Sequence, residues 1–92
     1  MDKPKISASE MAKRIDHTLL KPEAARSSFD SFCSEAVRYG FKAVCVNSAW
    51  VARVAQKVRG SAVAVCAVVG FPLGATHPAA KAFEAEKAIE DG

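Results

Sequence analysis

Cysteine is sparse in this 92-residue sequence and carries no motif: Cys33, Cys45 and Cys66 are odd in number and no CxxC occurs. That excludes a disulfide scaffold and predicts reduced, buried thiols in a cytoplasmic protein. Cys33 and Cys66 are expected in the core. Long hydrophobic runs are also missing. The longest, residues 62–69, is far too short to span a bilayer. The N-terminal MDKPKISASEM is polar and has no apolar stretch of the signal-peptide kind. The net charge is +3 with no run of like charge, and no basic stripe is interleaved with aromatics, so nucleic acid is not an expected partner. Phosphorylated metabolites remain compatible with a basic chain. No His/Cys/carboxylate group has metal-ligand spacing, and neither G-x-x-x-x-G-K-[ST] nor G-x-G-x-x-G is present. No metal, cofactor or membrane is therefore expected.

What is present is an ordinary globular composition, half hydrophobic and a quarter charged. A chain this short buries only about two-thirds of its unfolded surface, so its stability margin is thin. Ser7 and Glu10 form an S-x-x-E capping box before a short helix over 8–13. The brief β-compatible stretch 15–18 ends before Lys21-Pro22. Phe29, Phe32, Cys33, Ala36 and Val37 recur at helical spacing over 28–39. Ser27 or Ser28 is available as N-cap, and Gly40 stands where a left-handed C-cap belongs.

Residues 41–46 read as a second strand, followed by a helix over 49–58 with Asn47 or Ser48 as cap and Gly60 beyond its end. Residues 62–69 form an unbroken Val-rich run, which predicts a parallel strand buried on both faces. Gly70-Phe71-Pro72-Leu73-Gly74 is a loop, and His77-Pro78 opens a last helix through Ile89, with Gly92 as its C-cap. The order is α-βα-βα-βα with strands starting near 15, 42 and 62. That is the rhythm of βαβ units on a three-stranded parallel sheet in the α/β class. No linker or sequence repeat divides it, so residues 1–92 form a single unit.

Three segments carry a resemblance: Ile15-Asp16-His17-Thr18-Leu19-Leu20-Lys21-Pro22; Phe41-Lys42-Ala43-Val44-Cys45-Val46-Asn47; and Val68-Val69-Gly70-Phe71-Pro72-Leu73-Gly74, with Lys81 and Glu84 following. In order and spacing they resemble the N-terminal part of deoxyribose-phosphate aldolase, over about residues 10–92. The resemblance implies the first three units of an eight-stranded β/α barrel, which needs roughly 200 residues or more to close. It implies a cytoplasmic class I aldolase of deoxyribonucleotide catabolism. Such an enzyme reversibly cleaves 2-deoxyribose 5-phosphate to acetaldehyde and glyceraldehyde 3-phosphate, through a lysine Schiff base and without metal. In the family the nucleophilic lysine lies on the sixth strand, an assisting lysine on the seventh and a proton-relaying Asp on the fourth. No catalytic residue is therefore assigned in this chain, and the chain alone is expected to be inactive.

Asp16 and Thr18 are two apart and share one strand face. The resemblance makes that face the pocket wall and adds Cys45, Asn47 and Phe71 as lining residues. The plainer alternative has Asp16 bonding a nearby loop and Cys45 acting as a small buried hydrophobe. His17 is expected to face the helices in a structural role, and His77 to cap a helix. Lys81, Glu84 and residues 86–90 are expected to form a solvated helix face with weak ion pairs.

Two further readings stand beside the aldolase fragment. Three strands leave two open edges and a bare inner face, which predicts a self-associating homo-oligomeric module. Alternatively, the chain complements a separate C-terminal remainder of the barrel, as one half of a split aldolase. A related class I aldolase acting on another sugar phosphate is a lesser alternative.

Overall fold

The computed structural model describes residues 5–92. Their elements run α1 (Ala8–Ala12), β1 (Asp16–Leu19), α2 (Arg26–Tyr39), β2 (Ala43–Val46), a 3-10 turn (Ser48–Trp50), α3 (Val51–Val58), β3 (Ala64–Ala67) and α4 (Pro78–Asp91). The three strands are parallel in the order β1-β2-β3, with β1 and β3 at the edges. Asp16, Ala43 and Ala64 stand level, as do Thr18, Cys45 and Cys66.

Local chemistry explains most of the element ends. The Ser7 hydroxyl accepts the Glu10 N–H at 3.1 Å and caps α1. Gly40 takes φ +67° and closes α2, as the position requires. His77 caps α4 through Nδ1, which accepts the Ala79 N–H at 3.1 Å ahead of Pro78. Two expected caps are not used. Helix α2 begins at Arg26 after Ala25, with no side-chain cap, so Ser27 and Ser28 lie inside it. Asn47 precedes the 3-10 turn but sends its amide elsewhere.

Strand β2 begins two residues later than its sequence pattern suggests. Lys42 lies ahead of it, and its N–H donates to the carbonyl of Ile15 at 3.0 Å. Strand β3 is likewise shorter than the apolar run that contains it.

One face of the sheet carries the core. Val44 and Val46 of β2 pack with Phe29, Phe32, Cys33 and Ala36 of α2 and with Val51, Val54 and Val58 of α3. Phe29 stacks on Trp50 at 4.1 Å between ring centres. Arg53 grips Asp30 with two hydrogen bonds, at 3.1 and 2.9 Å, and ties α3 to α2. Arg53 holds the Asp30 carboxyl below the usual aspartate range.

The opposite face is bare, and here two expectations fail. Burial along β3 alternates between exposed and half-buried, so the strand is not covered on both sides. Cys66 is exposed, not part of the core. The reason is topological. Helices α2 and α3 cover only one face, and among the described residues nothing packs on the other side of β3.

Candidate active-site face

Side chains alternate across a strand, so the register sorts them into two sets. His17, Val44, Val46, Val65 and Ala67 share the helix side. His17 stacks on Phe32 at 4.4 Å, and its Nε2 lies 3.0 Å from Glu35 Oε1. That is the structural role expected of it. Asp16 and Thr18, Ala43 and Cys45, Ala64 and Cys66 share the bare side.

The structure brings together part of the expected pocket wall. The Asp16 carboxylate and the sulfurs of Cys45 and Cys66 lie within 4.8 Å of one another. Linear spacing could not show this, because the three come from three strands. The expectation drawn from ligand spacing concerned neighbours along the chain and does not reach a group that the sheet assembles from separate strands. Cys66 is the residue that sequence reasoning missed. Its only signal was the shared strand pattern Val44-Cys45-Val46 and Val65-Cys66-Ala67.

Cys45 is buried, since β1 and β3 flank it, whereas Cys66 lies on an edge strand. Burial, then the neighbouring Cys66, then Asp16 push the Cys45 thiol up to about 11. It is a poor nucleophile at neutral pH. The Thr18 hydroxyl donates to the backbone carbonyl of Asp16 at 2.8 Å, so it is engaged along its own strand.

Asn47 and Phe71 lie beyond the strand ends, after β2 and β3. Asn47 follows the C-terminal end of β2, and its amide donates to the Leu20 carbonyl at 3.2 Å, pinning the loop after β1. Phe71 lies half-exposed in the loop after β3, and its peptide bond to Pro72 is cis.

That loop is held by α4. The Gly74 N–H donates to the Gly70 carbonyl at 2.6 Å. The Lys81 ammonium donates to the Gly74 carbonyl at 3.1 Å. Glu84 accepts the Gly70 N–H at 2.7 Å with one oxygen and the Ser48 hydroxyl at 2.6 Å with the other. The Ser48 bond and then the Gly70 N–H hold the Glu84 carboxyl below the usual glutamate range. Glu84 therefore joins two loops and Lys81 braces the second, while residues 86, 87, 89 and 90 keep the expected solvated face. There Lys87 pairs with Asp91 at 2.9 Å. Gly70 sits at φ +61°, and a Cβ there would approach the Lys81 side chain to 2.9 Å, so a residue without a side chain is required.

Two loops at the C-terminal ends of β2 and β3 are joined by a carboxylate, above a strip of polar and thiol side chains. No family profile matches the chain. Individual relatives do. The deoxyribose-phosphate aldolase of Geobacillus sp. strain WCH70 is 52% identical over 84 residues, 91% of this chain and 38% of the relative. That of Mycoplasma mobile is 60% identical over 78 residues, 85% of this chain and 36% of the relative. The tetrameric deoxyribose phosphate aldolase structure from Aeropyrum pernix superposes with a TM-score of 0.87 at 32% identity, over 94% of this chain and 37% of the other.

The chain belongs with the N-terminal part of the deoxyribose-phosphate aldolases. It spans rather more than a third of the length of the relatives it matches. The three parallel β/α units are the matching part of that barrel. Among the described residues, no helix is long and apolar enough to cross a membrane.

Proposed function

We propose that this chain forms the first three β/α units of a deoxyribose-phosphate aldolase barrel. In a complete barrel, Asp16, Thr18, Cys45, Asn47 and Phe71 would face the sugar phosphate. Asp16 would orient a substrate hydroxyl or the reactive lysine, and the others would shape the wall. The reading includes a cytoplasmic setting, as for a metabolic enzyme acting on a phosphorylated sugar.

We further propose that the 92-residue chain alone does not catalyse the cleavage. A Schiff-base lysine must be neutral to attack a carbonyl, which requires burial or a neighbouring cation. Among the described residues no lysine is buried and none lies on a strand. Lys81, the least exposed, spends its ammonium on the Gly74 carbonyl. This observation carries the proposal. Borohydride trapping with 2-deoxyribose 5-phosphate tests it. The expected outcome is an unmodified chain by mass spectrometry, and a reduced adduct on any lysine overturns it. Mixing the chain with the C-terminal remainder of a relative's barrel, then assaying acetaldehyde release, tests whether its wall serves a working pocket.

A second reading is favoured by the surface. Leu73 is 86% exposed, Ile89 80% and Phe83 69%, and the sheet has two open edges. Such a surface suits association with further copies of the chain or with the rest of a barrel. The tetrameric Aeropyrum relative lends this support.

A further inference from the structure

We propose that Asp16, Cys45 and Cys66 form a binding site for a soft divalent cation of the zinc or cadmium kind. The proposal does not rest on the aldolase reading. It rests on three ligand atoms, from three adjacent strands, that lie within 4.8 Å of one another.

The distances suit a tetrahedral ion. With metal–sulfur bonds of about 2.3 Å and metal–oxygen bonds of about 2.1 Å, ligand atoms sit roughly 3.5–3.8 Å apart. The side chains need draw in by about an ångström at most. The backbone positions are already set, because Cys45 and Cys66 are direct register partners across a parallel ladder. Cys45 is buried and fixed, and Cys66 is exposed on the edge strand and free to rotate about one torsion. The Asp16 carboxylate reaches in from the first residue of β1.

The donor set selects the class of ion. Two thiolates and one carboxylate favour zinc or cadmium over magnesium or calcium, which require several oxygens. Binding releases two thiol protons to solvent as two metal–sulfur bonds form. Three protein ligands leave a fourth position, and the bare inner face admits water to fill it. Cys33 cannot join, because it lies on α2, buried in the core on the other side of the sheet.

Cadmium titration of the reduced chain tests the proposal, followed through the ultraviolet thiolate-to-cadmium charge-transfer band. The expected result is saturation at one ion per chain, with two of the three thiols protected from alkylation. C66S is the decisive variant, since Cys66 lies outside the core and its loss should leave the fold intact by circular dichroism. C66S and C45S should each weaken binding by roughly a hundredfold or more, and D16N by about tenfold, against effects of that order for mere outer-sphere partners. C33S should bind as the parent does. Undiminished binding in C66S, or loss of the band in C33S, overturns the site. So does protection of fewer than two thiols at saturation. None of these outcomes bears on borohydride trapping, so the two proposals fail separately.

Discussion

Glu84 shows how a single side chain sets the shape of the candidate site. One carboxylate serves donors from two loops: the Ser48 hydroxyl after β2 and the Gly70 N–H after β3. Removing it leaves the Gly70 N–H without its partner. E84A is expected to cost about 1–2 kcal/mol, the lower part of the range for bonds to a charged group, because the carboxylate is only half-buried. The pH dependence follows from its depressed pKa. The folded state holds the ionised form, so the contribution is complete above the ordinary glutamate value of about 4.3 and fades as pH falls through the lower folded value. Urea titrations at pH 7 and in the acid limb measure this. E84Q should be destabilised at pH 7 and should lose less than the parent on acidification. An unchanged acid limb would show that Glu84 is not clamped. Neither partner was legible from the sequence, because Ser48 and Gly70 lie 36 and 14 residues away and only the fold brings them to α4.

At the scale of elements, local pattern carried further. The helical spacing of Phe29, Phe32, Cys33, Ala36 and Val37 marks one face of α2; the first four are buried there, and Val37 at its edge is exposed. Gly40, His77 and Ser7 punctuate the helices as their chemistry requires. Strand β3 was misread because an apolar run reports how buried a strand can be, not whether anything covers it. Cys66 followed that error. The start of α2 was missed because Ala25 offers no side-chain signal. The α2–α3 layer should dominate stability. Phe29 is 1% exposed, stacked on Trp50 and edge-on to Phe32. F29A should cost about 3–5 kcal/mol in lost burial and cavity formation. A chain of this length has only about 5–14 kcal/mol in all, so F29A should be largely unfolded at modest urea. Trp50 fluorescence reads the transition directly, and a shift under about 1 kcal/mol would contradict this core.

The whole molecule is more open than its length warrants. Its Cα radius of gyration is 15.0 Å, against roughly 12 Å for a compact domain of this size. The excess reflects a sheet packed on one face, with Ala64 and Cys66 exposed on an edge strand. Unpaired N–H and C=O groups on that edge, beside exposed small side chains, template pairing with another chain. Light scattering after size exclusion should therefore give a mass of two or more chains at micromolar concentration, falling on dilution. A charge on the edge is a common natural block to such pairing, and Ala64 is the place for one. Its side chain is on the bare face, away from the Val44 and Val46 core. A64K should shift the chain toward monomer while keeping its circular dichroism. A parent that stays monomeric throughout would sink the self-association reading. An oligomer indifferent to A64K would move the contact from the sheet to α4, where Phe83 and Ile89 stand exposed.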